Sequence, residues 1–197
     1  MAVARTVAPL FAEPLGQYQT ASLQSEVRTL GADQLGLFQD HLLRLAPSCR
    51  QDRFSMEAGD RFIRQYVNTT RALSTSIVAH LENGVVRGTA ELRPMAGHRV
   101  AEIALSVEKP WRRRGLGTVL LRRIIGEAQD QRVRLIYFRF LAGNLAMKGL
   151  AAKFTTDMTL DDMDVVGQID PRLDVPKTAN QPSSMGWVRQ IYSAFWN

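Results

Sequence analysis

From Glu26 to Leu30 polar and apolar side chains alternate, and this period of two predicts a short strand. Leu35, Phe38, Leu42 and Leu45 then recur at helical spacing, with Asp33 placed to cap that helix and Pro47 to close it. A second helix is expected after Ser55 as cap, carrying Phe62, Ile63, Tyr66 and Val67 on one face. The texture changes at "STSIVAHL" and "VVRGTAEL", two β-rich runs joined by Glu82-Asn83-Gly84; Asn-Gly between such runs predicts a hairpin. "RVAEIALSV" (99–107) adds a third run, so the middle of the chain reads as an antiparallel meander. Leu116, Val119, Leu120, Ile124 and Ala128 restore helical spacing. "VRLIYFRFL" (133–141) follows as an apolar strand, and Asn144 can cap a short helix carrying Leu145, Leu150 and Ala151. "DMTLDDMDVVGQI" reads as two short strands.

The ends differ from this middle. Residues 1–24 mix Ala, Pro, Gln and Ser without a period and are expected to form a mobile arm. Residues 25–170 make one domain, and 171–197 a Pro-containing linker and a last helix. In "GWVRQIYSAFWN" the residues Trp187, Val188, Ile191, Tyr192, Phe195 and Trp196 share one broad apolar face. Such a face is expected to pack on protein: this domain, a partner, or a second copy in a homo-oligomer.

Composition narrows the possible functions. The chain has 197 residues, enough for one domain with a sizeable core. A net charge of +6 favours anionic partners without separating nucleic acid from phosphorylated small molecules. No aromatic residues interleave with the basic run as a base-stacking platform would need, so nucleic acid is not expected. The single cysteine, Cys49, excludes a disulfide framework, and His41, His80 and His98 form no metal-ligand pattern with it, so no metal is expected. No apolar run approaches the ~20 residues of a transmembrane helix. The start of the chain reads as a tail and not a signal peptide, and cytoplasm is the expected compartment.

The chemistry concentrates in "KPWRRRGLGTVLLRRIIGEAQ" (109–129). A helix N-terminus offers unpaired N–H groups and about half a positive charge. Glycines before it allow the backbone to approach an anion closely. Arg112, Gly115 and Gly117 form Arg-x-x-Gly-x-Gly between a strand and an amphipathic helix, a context that favours a pyrophosphate cradle, while a lone Gly-x-Gly is more often a plain basic loop entering a helix. A P-loop is excluded because Gly-Lys-Ser/Thr is missing, and a dinucleotide fold is disfavoured because hairpins precede the loop.

The stretch from Ala101 to Phe154 resembles the core of the GNAT acyltransferase superfamily: its fourth strand, its pyrophosphate loop and helix, its fifth strand and an Asn-led helix. "APSCRQDRFSM" (46–56) is similar to a segment of bacterial protein-lysine-acetyltransferase-like members. The resemblance implies an α+β fold with a mostly antiparallel sheet of about seven strands and flanking helices. It implies acetyl-CoA as acyl donor and an amine as acceptor. Arg112, Arg113, Arg114, Gly115, Leu116, Gly117 and Thr118 would hold the pyrophosphate, Thr118 through its N–H more than its hydroxyl. The backbones of Leu105 and Val107 would hold the pantetheine arm, and Asn144 would meet the cofactor side or simply cap its helix.

An attacking amine must lose a proton, which a carboxylate near the thioester can accept. Period two puts Glu102 on one strand face with Val100, Ala104 and Ser106, away from Ile103, Leu105 and Val107. The resemblance places a general-base Glu at this position. It also implies a Tyr general acid where this chain has Ala151, and Gly-Phe where it has Thr155-Thr156. Tyr137 is expected to be packed, and Arg50 and Arg53 to be solvated or to face an acidic acceptor. A catalytic N-acetyltransferase and a non-catalytic acyl-CoA-binding sensor are both compatible with these residues.

Overall fold

The structure is a computed structural model that describes residues 25–95 and 99–173. The expected N-terminal arm and C-terminal helix lie outside the described residues.

Seven strands form one sheet: β1 (Ser25–Thr29), β2 (Ser76–Glu82), β3 (Val85–Pro94), β4 (Val100–Val107), β5 (Leu135–Leu141), β6 (Met158–Asp161) and β7 (Asp164–Ile169). Their order is β1-β2-β3-β4-β5-β7-β6, and every neighbouring pair is antiparallel except β4–β5. The β2–β3 turn is the expected hairpin: Asn83 and Gly84 both take positive φ, 52° and 76°, as a twist-matched two-residue turn requires.

Among the described residues five α-helices cover the sheet: α1 (Leu35–Arg44), α2 (Pro47–Phe54), α3 (Asp60–Ala72), α4 (Leu116–Asp130) and α5 (Leu145–Ala151). Leu120, Leu121 and Ile124 of α4 are buried against Val78, Ala90, Leu92, Ala101 and Ile103 on one sheet face. Phe38, Leu42, Ile63 and Val67 of α1 and α3 pack with Ile77, Ala79 and Leu81 on the other. Burying each of these large side chains contributes roughly 1.5–3 kcal/mol. The period-two pattern of β2 thus feeds two cores.

Three boundaries differ from expectation. Asp33 lies inside a 3-10 turn (Ala32–Gln34) that leads into α1 and does not cap it. Pro47 opens α2 at a position where its missing N–H would be unpaired anyway. Ser55 ends α2 in the left-handed region (φ 55°), and Gly59 precedes α3. At the far end, Thr155 Oγ1 accepts from Asp157 N–H (3.0 Å), a side-chain turn that replaces the glycine the resemblance led us to expect.

Candidate functional site

The strand pair β4–β5 is in register only at Val100–Leu135, Ala101–Ile136 and Glu102–Tyr137. Beyond Glu102, β4 continues to Val107 and β5 to Leu141, but they no longer pair. Backbone groups of successive residues point to opposite edges of a strand. Glu108 N–H bonds Arg87 on β3 (2.9 Å), while the Arg99 carbonyl accepts from Arg134 at the β5 edge (2.7 Å). Leu105 and Val107 share the parity of Arg99 and therefore offer their backbone groups to the open fork. Val107 O already takes Arg112 Nε (2.9 Å), so Arg112 braces the strand end.

Helix α4 crosses over from β4 to β5, so its N-terminus is carried to the mouth of this fork. Gly115 has φ 80°, open to glycine, and Arg113 sits in the left-handed region at φ 64°, a conformation that costs an ordinary residue about 1 kcal/mol or more. Gly117 has a different reason to be glycine. An added Cβ would stand 3.2 Å from Leu150 of α5, so the first turn of α4 packs closely on α5. The N–H of Thr118 is given to Gly115 O (2.9 Å), which corrects its expected role: its hydroxyl, 3.4 Å from Lys153 Nζ, is the group left to offer. Leu116 packs its side chain into the core and leaves its backbone to the loop.

A cavity of about 540 Å³ follows the fork and this loop. Leu105, Val107, Arg112, Arg113, Gly115, Leu116, Gly117, Thr118 and Asn144 all line it, so the structure gathers every expected cofactor residue except Arg114, which stands exposed outside it. Asn144 does cap α5, accepting from Met147 N–H (3.0 Å), and lines the cavity as well. Lys153 is a cation in this wall that the sequence reading missed. Among the described residues no group of His, Cys, Asp and Glu could hold a metal.

Glu102 lines a second cavity of about 260 Å³. The two cavities share Asp52, Arg53, Leu105, Asn144 and Met147, so they meet where the fork begins. Burial raises the Glu102 carboxyl above its usual range, although Arg93 and Arg53 pull the other way. A raised carboxylate is a better proton acceptor than an exposed one. Diagonal to it on the same face, Glu91 is fully engaged. Arg53 donates to its Oε1 and the Tyr66 hydroxyl to its Oε2 (2.7 Å), while Arg53 Nη2 also donates to Tyr66 (2.8 Å). Burial raises the Tyr66 hydroxyl; burial also works against the Arg53 charge, but Glu91 and Tyr66 together outweigh it and hold Arg53 charged.

Neither Arg50 nor Arg53 is the solvated loop residue expected. Both lie in α2: Arg50 clamps the carbonyls of Leu43, Leu45 and Ala58, and Arg53 is buried against Glu91. Tyr137 is packed with Met95 and Val166, and burial pushes its hydroxyl up to about 12. Ala151 is buried in the α4-side core and brings no hydroxyl to the fork.

A second buried polar cluster supports β4 one residue further on. His41 of α1, fully buried, meets Ser106 Oγ through Nε2 (2.9 Å) and Glu108 through Nδ1 (3.4 Å). A carboxylate only accepts, so Nδ1 carries the proton and Ser106 donates to Nε2. Arg44 and Arg87 also donate to Glu108 (3.0 and 3.1 Å). Burial lowers the His41 imidazole, whereas Glu108 is lowered despite its burial because His41 and Arg44 outweigh it. These bonds fix the residues that alternate with Leu105 and Val107.

Comparison with known proteins agrees with this geometry. The model of the acetyltransferase (GNAT) family matches residues 40–155. No curated protein sequence matches significantly. Among solved structures, the GNAT domain of PAT from S. lividans superposes with a TM-score of 0.65 at 19% identity, covering 74% of this chain and 90% of that one. The yncA protein of Salmonella typhimurium, solved with its cofactor acetyl-CoA, gives 0.55 at 18% identity over 80% and 99%. The PaiA N-acetyltransferase of Thermoplasma acidophilum, in complex with coenzyme A, gives 0.53 at 11% over 75% and 99%. At these identities the likenesses speak to fold.

Proposed function

The chain belongs to the acetyltransferase (GNAT) family, and on that premise we propose that it moves an acetyl group from acetyl-CoA to a primary amine, with Glu102 as proton acceptor. The observation that carries this reading is the meeting of the two cavities beside Glu102. Bound acetyl-CoA would supply an activated thioester carbonyl. The free edge of Leu105 and Val107 suits an amide-bearing arm added like a strand. The N–H groups of the loop before α4, with Arg113 and Lys153 nearby, suit a pyrophosphate. An amine entering the smaller cavity would give its proton to Glu102, directly or through water, as its nitrogen bonds the carbonyl carbon and the carbon–sulfur bond breaks. The departing sulfur must gain a proton, and solvent is the donor we assign, since Ala151 has none to give.

That same Ala151 favours a second reading, a non-catalytic acyl-CoA-binding sensor. Following thiol release and acetylated product by mass spectrometry, over a panel of amines, separates the two. Product and thiol in equal amounts support transfer; tight acetyl-CoA binding with no product from any amine supports the sensor.

A further inference from the structure

Arg93 stands directly opposite Glu102 across the β3–β4 ladder, and both line the smaller cavity. The two form no ion pair. The Arg93 guanidinium lies over the Tyr66 ring, 4.9 Å from its centroid, and donates no hydrogen bond among the described residues. Its Nη2 is buried without a partner. A buried donor left unsatisfied is costly, and a guanidinium is shaped to hold a carboxylate through two parallel bonds.

The other charges in this wall largely cancel. Arg53 is engaged by Glu91 and Tyr66, and Arg139 by Asp161 and Asp164. Arg93 is left as a cation, and Glu102 and Asp52 as anions, without an ion-pair partner among the described residues. That is the complement of a zwitterion. A polyamine would bring a second cation against Arg93. A lysine within a polypeptide has its own carboxyl tied up in a peptide bond and offers no carboxylate of its own. The volume, about 260 Å³, lies below the ~300–1,000 Å³ of drug-sized pockets and suits a small molecule.

We propose that the acceptor is an amino acid, with its carboxylate held by Arg93 while its amine faces Glu102. This rests on the acyl-transfer reading above. The test is kcat/KM for the standard amino acids and for their amides, with a diamine and a lysine-containing peptide as controls. At least one amino acid should exceed its own amide by about 10-fold or more, because the amide leaves Arg93 unpaired. In Arg93→Gln that acid should fall to the level of its amide, and Arg93→Lys should restore part of the preference. Acetyl-CoA affinity measured by calorimetry verifies that each variant is folded; if Arg93→Gln is not, the wild-type ratio of acid to amide decides alone. A diamine or lysine peptide used as well as any amino acid would overturn the proposal, as would an acid preference that survives Arg93→Gln. Acetyl-CoA that binds but is transferred to no amine would instead defeat the acyl-transfer reading, and this proposal with it.

Discussion

Glu102 and Tyr137 are the last paired residues of the parallel β4–β5 ladder. Every proposed step happens just past that pair, where the two strands have separated. The carboxylate is therefore anchored on continuous sheet, while further along the same strand Leu105, and Val107 through its N–H, face the open edge.

The cradle makes a prediction that separates two neighbouring arginines. Arg113 lines the larger cavity and Arg114 does not. Arg113→Gly keeps the positive φ accessible and removes the side chain with its guanidinium, so it should weaken acetyl-CoA about 10-fold, the worth of one charge-assisted contact. Arg114→Gly should change affinity less than about 2-fold at physiological salt. Calorimetric titration of both variants checks this; equal effects would mean that the loop acts only as diffuse charge.

The Arg53–Glu91 pair predicts asymmetric stability losses. Both side chains are nearly inaccessible, 8% and 2% exposed, so Arg53→Met leaves a buried carboxylate unpaired. The expected loss is about 3–5 kcal/mol in urea unfolding. Arg53→Met with Glu91→Gln should recover a large part of it. A single variant as stable as wild type would show that the pair is not buried in solution.

His41 and Glu108 predict acid lability. His41 has its imidazole lowered below 6.5 in the fold, so the unfolded chain binds the extra proton first as pH falls. Stability from this group is full above that value and is lost as pH drops through the folded pKa. Glu108 is lowered below 4.5 and adds a loss of the same sign at lower pH. Denaturation midpoints should therefore fall between about pH 7 and about pH 5, and His41→Gln should flatten that part of the slope. An unchanged slope in the variant would assign it to other groups.

Much of this was legible in the sequence, for physical reasons. Strands and helices announced themselves through period, and Asn83-Gly84 through its need for positive φ. The lining of the larger cavity was legible because a strand, a glycine turn and a helix are contiguous in the chain. Pro47 and Ser55 misled because proline and serine mark helix starts and stops alike, and which one applies is decided by packing. The wall of the smaller cavity was harder to read. Arg53, Tyr66, Glu91 and Arg93 come from α2, α3 and β3, and only the tertiary fold brings them together. One signal was present: in "VVRGTAELRP" the charged residues Arg87, Glu91 and Arg93 keep period two within a buried strand, as Glu102 does on the next.

The most direct test is the pH dependence of kcat/KM for acetyl transfer, measured for wild type and Glu102→Gln from about pH 6 to about pH 9. Burial raises the Glu102 carboxyl above its usual range, and its proton-accepting form is the ionised one, so wild-type activity should fall as acid protonates it and should rise with pH as the amine also loses its proton. Glu102→Gln should bind acetyl-CoA as wild type does and transfer about 100-fold or more slowly, with the deficit shrinking as pH rises and more of the amine is already deprotonated. Wild-type turnover in the variant across the whole range would contradict the role given to Glu102 and, with it, the site built around the fork.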